Sequence, residues 1–122
     1  MFRESPAFSG FLSNDIPASK AFYADTLGLD VSEENGQLML DLAGGGRVLI
    51  YPKDNHVPAT YTVLNFKVDD IDAAVDGLVA AGITMERYEG FEQDERGIMR
   101  DFGPAIAWFK DPAGNIIAVL QD

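Results

Sequence analysis

Phe11-Leu12-Ser13-Asn14-Asp15-Ile16-Pro17-Ala18 is written a second time 55 positions later, as Phe66-Lys67-Val68-Asp69-Asp70-Ile71-Asp72-Ala73. Phe, an Asp preceded by Asn or Asp, Ile and Ala return at matching places. Farther on, Leu27-Gly28-Leu29 is answered by Ala81-Gly82-Ile83, one residue out of phase. Each copy runs from an apolar strand through an acidic turn and an amphipathic stretch to a glycine stop. A unit of this length cannot close its own hydrophobic face. Two copies in one short chain point to a pseudo-symmetric domain with its site between the halves.

Working outward, residues 7–13 read as a strand. Asn14 or Asp15 can cap a following helix, and Pro17 suits a first turn where no N–H is needed. Ala18, Phe22, Tyr23 and Leu27 form its inward face, and Gly28 stops it. Strands are expected over 29–34, 37–42 and 47–51. Asn35-Gly36 makes the first hairpin. The first module is thus β-α-β-β-β, about 1–52. Residues 52–60 are polar and bracketed by prolines, a connector. The second module, about 60–122, opens with a strand over 61–68. Asp69 or Asp70 caps a helix with Ile71, Ala74, Val75, Leu78 and Val79 on one face, and Gly82 ends it. A strand is expected over 83–88. Residues 89–103 are acidic and aperiodic, a candidate mobile loop. Strands 105–110 and 115–121 close the chain around Asp111-Pro112-Ala113-Gly114, which has the chemistry of a tight turn.

The 122 residues leave room for one domain with a real core. A net charge of −11 argues against nucleic acid and against an anionic membrane surface. It permits a cationic ligand, although solubility is the simpler reading. The absence of cysteine excludes disulfides and thiolate chemistry. Residues 1–10 carry no long apolar run, and none approaches the ~20 residues of a membrane span. A cytoplasmic protein is the expectation.

Tandem β-α-β-β-β modules resemble the vicinal oxygen chelate superfamily of glyoxalases, bleomycin-resistance proteins, fosfomycin-resistance enzymes and extradiol dioxygenases. The likeness rests on Asn14-Asp15-Ile16, Phe22-Tyr23 and Leu27-Gly28-Leu29 in the first half. Val68-Asp69-Asp70-Ile71-Asp72 and Ala80-Ala81-Gly82-Ile83 carry it in the second. Its most specific element is Ala107-Trp108-Phe109-Lys110-Asp111-Pro112-Ala113-Gly114-Asn115. The resemblance implies an α+β fold, one cup-shaped mixed β-sheet with helices on its convex face, usually as a homodimer. It also implies metal ligands at Phe8, Val63 and Ala118 and near residues 49–51. No imidazole or carboxylate stands at any of these positions. No metal or other cofactor is therefore expected. The metal-free members implied by the likeness work by sequestration.

Strand alternation then assigns faces. With Phe8, Gly10 and Leu12 share the concave side. With Val63, Asn65 and Lys67 share it, and with Ala118, Ile116 and Leu120 do. Asn65 could contact a ligand or bond to neighbouring backbone. Trp108 faces the cup if Phe109 packs on the helices; there it could stack on a planar ligand, and otherwise it serves core or dimer packing. Tyr51 could offer a phenolic donor. His56 could be a general base but is better read as a solvated loop residue. Arg47, Arg96 and Arg100 are best read as members of surface ion pairs.

The function expected is metal-independent binding of an apolar or aromatic small molecule. Phe8, Leu12, Tyr51, Val63, Asn65, Trp108 and Ala118 would line its site. The alternatives are an enzyme of the same superfamily, a lyase, isomerase or dioxygenase, and a dimeric interaction module without a ligand. Such an enzyme would use a metal or acid–base chemistry through His56, Tyr51 or a loop acid.

Overall fold

The computed structural model describes residues 1–122, which divide into two compact units, Met1–Val57 and Pro58–Asp122. The first holds β1 (Ser9–Ser13), α1 (Ile16–Lys20), β2 (Asp30–Glu34), β3 (Gln37–Asp41) and β4 (Arg47–Pro52). Its sheet has the order β1-β4-β3-β2, with β1 parallel to β4 and the other pairs antiparallel. Asp15, not Asn14, caps α1: its carboxylate accepts the Ala18 N–H at 3.1 Å. The helix continues as a π-helical turn over Ala21–Thr26, closed by the Leu27 N–H on the Phe22 carbonyl at 2.9 Å. Asn35 and Gly36 take φ of 56° and 76°, the pair of positive values that a two-residue hairpin requires.

Alternation along these strands sorts the residues. Phe11, Leu38, Leu40, Val48 and Ile50 are buried, as is Tyr23. The rings of Phe11 and Tyr23 lie 6.1 Å apart, so this is the helix side. Two buried hydroxyls, Ser13 and Ser19, bond to each other at 2.7 Å and tie β1 to α1.

The second unit holds β5 (Thr62–Lys67), α2 (Ile71–Ala80), β6 (Ala105–Lys110) and β7 (Ile116–Gln121). Its order is β5-β7-β6, again with first and last strands parallel. Asp70 caps α2 through the Ala73 N–H at 3.1 Å. Leu64, Ala107, Phe109, Ile117 and Val119 are buried, together with Ile71 and Val75 of α2, which packs on β6 and β7. No helix is long and apolar enough to cross a membrane.

Two expectations fail in this unit. Residues 83–88 form no strand. A single backbone bond ties them to β6, from the Glu86 N–H to the Trp108 carbonyl at 2.8 Å. Gln93 takes the groups that a ladder would use: its amide accepts the Tyr88 N–H at 2.9 Å and donates to the Glu86 and Gly97 carbonyls. Nor is 89–103 an open loop throughout. Asp94 accepts the Arg96 and Ile98 N–H groups at 2.9 Å each, Ile98 is buried, and Met99 bridges to Ile106.

The last turn explains its own sequence. The buried Asp111 carboxylate accepts the Ala113 and Asn115 N–H groups and the Asn115 side-chain amide, each at 2.9 Å. Gly114 has φ of 84°, and a Cβ there would stand 3.1 Å from Pro58 Cγ. The motif is a fastening for the β6–β7 hairpin.

Candidate functional site

Register places three of the expected residues in one row. Asn65 on β5 lies opposite Ala118 on β7, which lies opposite Trp108 on β6. The row is on the sheet face turned away from α2, as alternation from Phe109 requires. Trp108, Ile116 and Ala118 pack together, with Tyr88, Met99 and Ile106 against them. The floor is apolar.

Trp108 is not an open wall, however. Only 8% of it is exposed. The Tyr88 ring meets it edge-on at 5.5 Å and 80°, and the Phe91 ring lies over it at 5.5 Å, tilted 34°. Tyr88 and Phe91 also touch, with centroids 6.0 Å apart. Asn65, expected inside an apolar concavity, is instead exposed. Val63 falls at the register irregularity between Thr62 and Leu64, where strict alternation breaks, and is partly buried.

Tyr88 is the most informative side chain here. Its hydroxyl is buried and has no hydrogen-bond partner. Burial, and then the Glu86 carboxylate, push its phenol above the ordinary value. It therefore keeps its proton at neutral pH and is a donor without an acceptor. Buried polar groups are normally paired, so an orphan calls for an explanation. Neither Tyr88 nor Phe91 was among the expected site residues. The only sequence signal was two aromatics three apart, 20 and 17 positions before the lone tryptophan.

In the first unit, Leu12 and Tyr51 are register partners on the face opposite Phe11. A Cβ at Gly10 would stand 3.5 Å from Tyr51 Cε1, so the ring lies over that glycine. Leu12 is partly buried, and Tyr51 is 41% exposed. Phe8 precedes β1 and is 63% exposed, so it lines no strand face. His56 departs from the solvated reading: both ring nitrogens are buried and neither has a partner. No carboxylate orients its imidazole, which removes the third member that an activated base needs. The arginines do form ion pairs: Arg47 with Asp41, Arg96 with Asp76, and Arg100 with Asp72 and Asp94.

A divalent metal does not fit these residues. Nowhere do three His, Asp or Glu side chains converge. Phe8, Val63 and Ala118 offer only carbon, which has no lone pair to donate.

A family model described as "Glyoxalase/Bleomycin resistance protein/Dioxygenase superfamily" matches residues 10–119. The chain belongs to this superfamily. The chain is 26% identical over 125 residues to the "Uncharacterized protein YraH" of Bacillus subtilis (strain 168), covering 90% of this chain and 92% of that one. The solved glyoxalase family protein from Enterococcus faecalis shares 25% identity at a TM-score of 0.68, over 98% and 99% of the two chains. Lactoylglutathione lyase from Agrobacterium tumefaciens shares the fold at a TM-score of 0.70 and 20% identity, over 98% and 95%. The superfamily thus spans named lyases and resistance proteins, and membership alone does not choose between them.

Proposed function

We propose that this superfamily member binds an apolar or aromatic small molecule without a divalent metal, on the Trp108 face of the second sheet. Its role would be to sequester or handle that compound. The observation that supports this reading is the Tyr88–Phe91–Trp108 cluster over Ala118 and Ile116, with a buried phenol that has nothing to donate to. Phe91 is 48% exposed and acts as a stand-in for a ligand ring on Trp108. A planar ligand bearing one acceptor atom would displace Phe91, take its place against the indole, and accept from Tyr88. Stacking is worth about 0.5–1.5 kcal/mol. Pairing the orphaned hydroxyl adds about 1–3 kcal/mol. The carbon side chains of Ile116 and Ala118 on the floor leave it dry and favour apolar ligands.

The test is titration of Trp108 emission with a panel of planar aromatic compounds. Trp108→Phe should weaken binding by about 0.5–1.5 kcal/mol. Tyr88→Phe should weaken only those ligands that carry an acceptor. Unchanged affinities in both variants would refute the site.

A further inference from the structure

The strongest site outside the Trp108 face lies on the other side of the second unit. A cleft of about 580 Å³ runs between α2 and the segment after it, with Val75, Val79, Ile83 and Met85 among its walls and Arg87 and Arg96 at its rim. That size falls within the ~300–1,000 Å³ range of small-molecule pockets. Its walls are apolar on one side, and Val79 stays 55% exposed there, uncovered by any other part of the chain.

The two rim arginines differ. Arg96 is neutralised: Asp76 holds it with two bonds, at 2.9 and 3.3 Å. The hydrogen bond from Arg96 outweighs desolvation and depresses Asp76, and the same bond raises Arg96. Arg87 makes no ion pair among the chain's salt bridges, although acids outnumber bases 20 to 9. Its terminal nitrogen donates instead to the Asp94 carbonyl at 2.7 Å. A carbonyl fixes the guanidinium without cancelling its charge, and most of its five N–H donors stay available. The result is one oriented, uncompensated cation at the edge of an apolar cleft.

We infer that this cleft is a second binding site, for an apolar compound carrying a single carboxylate. The body lies along Val75, Val79, Ile83 and Met85, and the carboxylate meets the fork of Arg87, a pairing that gives short, charge-assisted bonds. The number of charges follows from the rim. Arg96 is already matched by Asp76, and Glu95 adds another negative charge to the lining. A second carboxylate on the ligand would find no free cation and two acids. Monocarboxylates are selected and dicarboxylates rejected.

The experiment uses the full chain and octanoate as probe, with backbone amide shifts as readout. Octanoate should move the amides of Val79, Ile83, Met85 and Arg87 and leave Trp108 and Ala118 still. Arg87→Met, which keeps the apolar stem, should weaken binding about tenfold, the expected loss of a charged hydrogen-bonded contact. Arg87→Lys should retain part of it. Octan-1-ol and suberate, the dicarboxylate of the same length, should each bind more weakly than octanoate. Because Arg87→Met gives up its bond to Asp94, Val79→Asp at the exposed wall is the independent variant, and it too should lose octanoate. Equal binding by octanol, undiminished binding in both Arg87→Met and Val79→Asp, shifts confined to the Trp108 face, or no shifts at all would overturn the proposal. The Trp108 reading is untouched by any of these results except shifts confined to its own face, which would support it.

Discussion

Single residues in this chain carry constraints of different kinds. Gly114 combines a left-handed backbone with a close neighbour, whereas Gly36 has a similar φ of 76° and open space around its missing Cβ. Gly114→Ala should therefore cost more than Gly36→Ala. The backbone alone accounts for about 1–2 kcal/mol in each, and Pro58 at 3.1 Å adds to it only at Gly114. Urea unfolding of the two variants measures the difference, and equal losses would remove the role given to Pro58. At this scale the sequence was partly legible. Alternation from Phe109 assigns Trp108 to the face away from α2. It could not show that Tyr88 and Phe91 cover the ring, because that contact depends on how a nonrepetitive segment folds back. Asp15 and Asp70 were each one of two possible caps, and only geometry separated them from Asn14 and Asp69.

Among the elements, the repeat made the helices and most strands readable, since local period and turn chemistry agree with the fold there. Residues 83–88 read as a strand by composition but are not one. Gln93 satisfies the Tyr88 N–H and the Glu86 carbonyl instead, and no local pattern reports such bonds. The segment from Gln93 to Arg100 is likewise built on one carboxylate. Desolvation pushes the Asp94 carboxyl up, but bonds from the Ile98 N–H, the Arg100 guanidinium and the Arg96 N–H outweigh it and leave it lowered. A lowered folded value means that the stabilisation is complete above the unfolded value, about 3.9. It is lost as pH falls below that through the folded value. Asp94→Ala should cost about 1 kcal/mol at pH 7, like loss of a helix cap. The gap from the parent should narrow at pH 3. Urea midpoints at the two pH values check this; a gap as wide at pH 3 as at pH 7 would rule out the ionised form as the source.

For the molecule as a whole, donor chemistry sets the expectation. The chain should purify without a stoichiometric divalent metal, and EDTA should leave its melting temperature unchanged. Elemental analysis after dialysis without chelator, with thermal unfolding in parallel, tests both. One equivalent of zinc, nickel, manganese or iron per chain, with a loss of stability in EDTA, would refute the metal-free reading. Family membership and the two-module plan could be read from the sequence because they are spread over many residues. The site could not, because it depends on a few side chains whose neighbours are remote in the chain.

The π-helical turn at Ala21–Thr26 accounts for a mismatch between the two halves. From capping Asp15 to Gly28 is one step longer than from Asp70 to Gly82. A π-helical turn is what an α-helix becomes when it gains one residue and keeps its ends in place. Between cap and glycine stop the two halves thus differ by one residue, and the first helix accommodates it as a local bulge. The strands on either side never felt it: Phe11 and Phe66 still precede their caps by the same distance, and Gly28 and Gly82 still end their helices with a positive φ. The two helices can therefore be aligned from cap to glycine only by allowing one gap, inside 21–26.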